Sequence, residues 1–178
     1  LMQIVNENNL ILIEDCAHTM GAQWKDQRSG NFGLAGCFST QTYKHLNSGE
    51  GGLLTSNDEE FMARAIIYSG SYMLYERHGA APSSKVFEDI RLETPNYSGR
   101  MDNLRASILR PQLKNLEKNI TRWNERYKLV EAALKEIKGL EVPLRFEEER
   151  YVGSSIQFRI PGITVTEAEL FIKKNKVL

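Results

Sequence analysis

Three residues of this chain have types and spacing that could do chemistry together. Lys44 lies in the polar, glycine-rich stretch TQTYKHLNSGEG, Ser39 ends a short apolar run five residues before it, and Asp15 follows the apolar run Leu10 to Ile13. Alone, each has an ordinary reading. A loop lysine is usually a solvated cation, and a strand-end aspartate is usually a turn or a helix cap. Together they supply an amine that can attack a carbonyl, a carboxylate that can hold a cationic ring nitrogen, and a hydroxyl that can bind phosphate. That set meets the needs of pyridoxal phosphate, whose aldehyde requires a lysine and whose ring nitrogen requires a carboxylate partner to stay protonated. His45 and His78 have no cysteine or acidic residue at ligand spacing, so packing or surface roles are expected for both, and no metal site.

The elements that must position these groups alternate strand and helix. Residues 2–8 read as the end of a helix, and Asn8-Asn9 as a turn. Leu10 to Ile13 is a continuous apolar strand of the kind buried on both faces of a parallel sheet. Polar residues at the carboxyl end of such a strand stand where open α/β sheets place their sites. Residues 21–33 read as a loop or short hairpin, and strands are expected at Ala35 to Thr40 and Gly52 to Thr55. Ser56 and Glu59 have capping-box spacing for a helix that Gly70 would stop. Residues 71–99, with Pro82 and Pro95, read as a long loop of the kind that is functional or mobile. Asp102 should cap a new helix. From Leu113 to Ile137 apolar residues recur in steps of three and four, which predicts a long amphipathic helix ended by Gly139, with Pro111 as its kink or start. Two short strands near 140–142 and 155–160 and a helix from Thr166, capped through Glu169, complete the pattern.

Composition narrows the field. The 178 residues carry 23 basic and 23 acidic side chains, a balance that offers no broad surface for nucleic acid or an anionic membrane. No apolar run is long enough to span a bilayer, and no export signal opens the chain. Cys16 and Cys37 are read as buried, reduced thiols of a cytoplasmic protein. The chain starts without an initiator methionine and stops soon after a helical pattern, so it is expected to be an internal piece of a longer protein.

Three separated motifs, LIEDCAHTMGA, GCFSTQTYKHLNSGEGGLLTS and YSGRMDNLRASILRPQL, resemble the DegT/DnrJ/EryC1/StrS family of sugar aminotransferases. The likeness covers most of residues 10–116. It implies an α/β fold: part of a fold-type-I pyridoxal-phosphate transferase, with the C-terminal part of the large-domain sheet, a long linking helix and the start of a small α+β domain. The expected division is residues 1–112 for the cofactor-binding part and 113–178 for the linking helix and incomplete small domain. By the same resemblance Lys44 is the lysine that carries the cofactor and moves the substrate proton. Asp15 pairs with the pyridine nitrogen, Ser39 binds the phosphate, and His18 lies against the cofactor near its ring hydroxyl. Arg100 binds an anionic substrate group in the neighbouring subunit's site. Just before it, where the family usually has Asn-Tyr, this chain has Ser98-Gly99, so Ser98 would make a shorter contact with the partner's cofactor phosphate.

The resemblance implies a homodimer that takes an amino group from an amino acid, glutamate by family habit, and passes it to a keto sugar. The alternation is ping-pong through pyridoxamine phosphate, and the sugar could be nucleotide-linked, phosphorylated or free. Two other readings stand beside it: a non-catalytic sensor that binds the same cofactor, and a sugar dehydratase, in which the family replaces the lysine by histidine. His45 falls one position after the functional lysine, which favours the aminotransferase.

Overall fold

The computed structural model describes residues 1–70 and 79–175; His78 lies outside them. After α1 (Met2–Glu7) the chain enters β1 (Ile13–Asp15) and then a tight hairpin of β2 (Gln23–Trp24) and β3 (Gln27–Arg28). β4 (Ala35–Ser39) lies parallel to β1, and β5 (Gly52–Thr55) lies antiparallel to β4, in the order β1-β4-β5. The register sets Asp15 beside Cys37, so Asp15 and Ser39 both stand at the carboxyl end of neighbouring parallel strands. This arrangement of strands and helices is α/β, as expected.

The strand at 10–13 corrects the expectation of burial on both faces. Only Ile13 of that run joins the sheet, and Leu10, Ile11 and Ile13 are 56%, 77% and 62% exposed. β1 is the edge of the three strands, with a neighbour on one side only. Cys16 is buried, but Cys37 is exposed; both are free thiols.

α2 (Glu59–Ser69) begins two residues later than the capping box suggested. Asp58, not Ser56, caps it, its carboxylate accepting from Phe61 N–H at 2.7 Å. Ser56 instead donates to Leu34 O, fastening the turn to the strand before it. Gly70 ends the helix in the left-handed conformation, as read. The segment expected to be all loop contains α3 (Ser84–Ile90), whose Phe87 and Ile90 pack on Ala63, Ile66 and Ile67 of α2.

Asp102 caps α4 (Asn103–Lys114) through Arg105 N–H. Pro111 lies inside that helix, and the break falls at Asn115, before α5 (Leu116–Lys135). The apolar stripe is buried at Leu116, Ile120 and Tyr127, while Val130 and Ile137 beyond them are about half exposed. A second sheet, unforeseen, forms when β6 (Glu149–Arg150) pairs with β2. Glu117 of α5 braces it by ion pairs to Arg28 of β3 and Arg150 of β6. The strands expected near 140–142 and 155–160 reduce to one bridge, Glu141 to Arg159. α6 (Val165–Asn175) is capped by Thr164 and Glu167, two residues earlier than expected. Among the described residues no helix is long and apolar enough to cross a membrane.

Candidate active site

Glu14 shapes the strand end. Its carboxylate accepts from the N–H groups of Gly30, Phe32 and Gly33 at 2.7 to 2.9 Å, which holds the turn before β4 against β1. A carboxylate in the middle of an apolar strand gave no sign of this in the sequence, because its partners are backbone groups of a distant turn. The next residue, Asp15, is exposed because β1 is an edge strand. One of its oxygens accepts from Ala17 N–H at 3.0 Å, and the other has no hydrogen-bond partner among the described residues.

The lysine loop closes over the end of β4. Thr40 N–H donates to Gly51 O, Ser48 N–H to Thr40 O, and Thr42 N–H to Gly49 O, each at 2.9 Å. Thr40, fully buried, shares a hydroxyl hydrogen bond with Ser48. Gly51 must be glycine here: its φ is +137°, and an added Cβ would lie 2.7 Å from Thr40 Oγ1. Past the lysine, Leu46 is buried among Leu109, Leu116 and Ile120. Gln112 clamps the next residue on both sides, accepting from Asn47 N–H at 3.0 Å and donating to Asn47 O at 2.7 Å. The loop is thus fastened to α4 and α5 on one side of Lys44 and to the sheet on the other.

Lys44 Nζ lies 2.7 Å from His18 Nε2. Where Lys44 is an ammonium it donates and Nε2 accepts, the His18 proton then standing on Nδ1. Asp15, His18, Ser39 and Lys44 therefore gather at one end of the sheet, a carboxylate, an imidazole, a hydroxyl and an amine. Among the described residues Ser39 Oγ accepts one long bond, 3.3 Å, from Gln41 N–H. This donor set fits pyridoxal phosphate: an open carboxylate oxygen for a ring nitrogen, a hydroxyl for phosphate and a primary amine for the aldehyde.

Ser98 and Arg100 stand at the end of α2, and both are exposed. Ser98 has a φ of +53° and its N–H donates to Asn96 Oδ1, while the Arg100 guanidinium reaches Gly70 O at 3.4 Å. Tyr97 stacks on Tyr68 with ring centres 5.5 Å apart.

Beside His18 opens a cleft of about 270 Å³, lined also by Tyr127, Arg145, Glu149, Tyr151 and Gln157. Arg145 lies over two rings, 4.6 Å from the centre of Tyr151 and 5.2 Å from that of Tyr127, and pairs with Glu149 at 2.6 Å. Burial, foremost, raises the Tyr151 phenol above its usual range. These wall residues were not singled out in the sequence. Tyr127 appeared there only as a position of the helical stripe, and the spacing of Arg145 and Glu149 was the one available hint.

His45 is nine-tenths buried. Its Nε2 shares a hydrogen bond of 2.6 Å with Ser154 Oγ, its ring lies 5.1 Å from that of Trp123, and Nδ1 has no partner among the described residues. Burial first, then the nearby His18 and Lys44, push its imidazole below the ordinary value of 6.5.

Comparison with known proteins identifies the family. The profile of the DegT/DnrJ/EryC1/StrS aminotransferase family matches residues 1–177. The spore coat polysaccharide biosynthesis protein SpsC of Bacillus subtilis is 29% identical over 157 residues, 85% of this chain and 39% of SpsC. The UDP-N-acetyl-3-dehydro-α-D-glucosamine 3-aminotransferase of Acidithiobacillus ferrooxidans is 31% identical over 65% of this chain and 28% of its own length. Among solved structures, the aminotransferase TlmJ of Streptoalloteichus hindustanus superposes with a TM-score of 0.77 at 20% identity, covering 98% of this chain and 45% of TlmJ. This chain thus spans less than half the length of each of these proteins. With the motifs, the sheet and the matched profile in agreement, the chain belongs to the DegT/DnrJ/EryC1/StrS aminotransferase family.

Proposed function

We propose that the complete protein is a pyridoxal-phosphate-dependent aminotransferase that moves an amino group from an amino acid, glutamate, to a keto sugar. The observation that carries this reading is the amine of Lys44, held 2.7 Å from His18 at the sheet end that also bears Asp15 and Ser39. Pyridoxal phosphate, when bound, supplies the electron sink that amino-acid side chains lack. The chain's own residues do the rest. Lys44 would hold the cofactor through its aldehyde, and its amine would take and return the substrate proton. Asp15 keeps the ring nitrogen protonated, Ser39 donates to the phosphate, and His18 lies against the ring. Residues 1–112 form the cofactor-binding part, and 113–178 the linking helix and the start of the small domain. The working unit is a cytoplasmic homodimer in which each subunit lends Ser98 and Arg100 to the other's site.

Two family relatives support the sugar substrate by their names, one a polysaccharide biosynthesis protein and one a nucleotide-sugar aminotransferase. The test uses the full-length protein, glutamate and a panel of nucleotide-linked, phosphorylated and free keto sugars. One sugar should be aminated in step with 2-oxoglutarate formation. Lys44→Ala should remove both turnover and the absorbance band of the lysine-bound cofactor. A band that survives in Lys44→Ala would overturn the assignment.

A further inference from the structure

Lys44 is flanked by a residue that neither the composition of the site nor the proposed chemistry requires. His45 points its chemistry away from solvent, into a seat made by Trp123 of α5 and Ser154. The 151–155 segment that supplies Ser154 is itself pinned to α5. Asn124 donates to Tyr151 O at 2.9 Å and accepts from Gly153 N–H at 2.7 Å. Gly153 packs so tightly on α5 that an added Cβ would come within 2.6 Å of Tyr127 Cβ. Tyr151, Val152 and Ser155 of the same segment wall the cleft beside His18.

The backbone beside the reactive amine is therefore connected, through one side chain, to the far end of the chain. A neutral imidazole suits this seat. Nε2–H can donate to Ser154 Oγ, and the bare Nδ1 then buries a lone pair rather than an unpaired N–H. A protonated ring would bury an unsatisfied donor and place a second cation next to Lys44.

We propose that His45 is the positioning residue for Lys44: through its bond to Ser154 it ties the backbone beside the amine to the 151–155 segment that walls the cleft. It touches neither substrate nor cofactor. Its effect on turnover rests on the aminotransferase reading, but the tie itself does not. The test therefore has two arms, both on the full-length protein.

In the first arm the cofactor is removed and the rate of Lys44 acylation by acetic anhydride is followed by peptide mass spectrometry. Ser154→Ala and His45→Leu should each speed acylation about fivefold, the equilibrium weight of one ordinary hydrogen bond. His45→Gln, whose amide can reach the position of Nε2, should restore the wild-type rate. The double variant should label no faster than either single one, as expected for two ends of one bond. In the second arm, with cofactor, kcat should fall about tenfold in Ser154→Ala with little change in KM, because the amine is misplaced rather than the substrate lost. If His45→Leu does not fold, Ser154→Ala decides. Unchanged acylation in folded Ser154→Ala, or failure of glutamine to rescue, would overturn the proposal. If the wild type shows no transamination while the acylation pattern holds, the positioning role stands and the reading of the reaction falls.

Discussion

The lysine loop and the segment carrying Arg100 are two halves of one proposed site, built on opposite plans. Residues 40–51 are tied inward at several points, Thr40 and Ser48 to each other, Leu46 into the core, Asn47 to Gln112, and His45 to Ser154, while Tyr43 is 88% exposed. Residues 96–100 are exposed, hold to the end of α2 by Tyr68 O and Gly70 O, and display Tyr97 at 73% exposure. One half is fixed within its own subunit. The other is exposed, and the proposed dimer would lend it to a neighbour.

The largest effect that could break this contrast is complementation. Full-length Lys44→Ala and Arg100→Ala should each be inactive alone. After subunit exchange, an equal mixture should regain on the order of a quarter of the wild-type rate, since random pairing gives half hybrids, each with one intact site. No recovery despite proven exchange would put Arg100 in its own subunit's site, or in none.

A smaller effect concerns stability. Leu46→Ala should cost about 2 to 5 kcal/mol, because it empties a fully buried position. Tyr97→Ala should cost less than about 1 kcal/mol, because it removes an exposed stacked ring. Denaturant titration of the two variants would erase the contrast if their costs were equal.

The smallest effect is one of pH. The folded protein holds the His45 pKa below 6.5. Just below that value the unfolded chain therefore binds more protons than the folded one, and stability falls with falling pH until the folded imidazole also titrates. His45→Gln should flatten that part of the pH–stability curve. A curve identical to wild type would remove His45 from the linkage.

How much of this could be read beforehand follows from how local each signal was. β5 fell where Gly52 to Thr55 suggested, Asp102 capped its helix and Gly70 ended another, since a strand run, a cap and a stop are written in adjacent residues. Asp15 and Ser39 could be placed by their strand ends, and Lys44 by its spacing within the family's motif. α3 was missed because seven residues between Pro82 and Pro95 carry little periodicity; their helix is stabilised by Phe87 and Ile90 against α2. Ser56 gave way to Asp58 because a hydroxyl free to bond Leu34 O left the cap to a better-placed carboxylate. β6, the Glu14 clamp and the Arg145 cleft depend on partners far along the chain, and no window of sequence contains both sides of them.

The pairing of β6 with β2 also sets a timetable. The lysine loop's own turns close through contacts a few residues apart, and its anchors Leu109, Gln112 and Leu116 arrive with α4 and α5, so it can form once α5 has been made. The hairpin of β2 and β3 must wait for a strand from beyond α5, and Ser154 arrives only after that. During N-to-C synthesis the amine is thus present before the wall beside it, and long-range closure comes last. A ribosome pausing between α5 and β6 would display a nascent chain with its lysine loop formed but His45 still without Ser154.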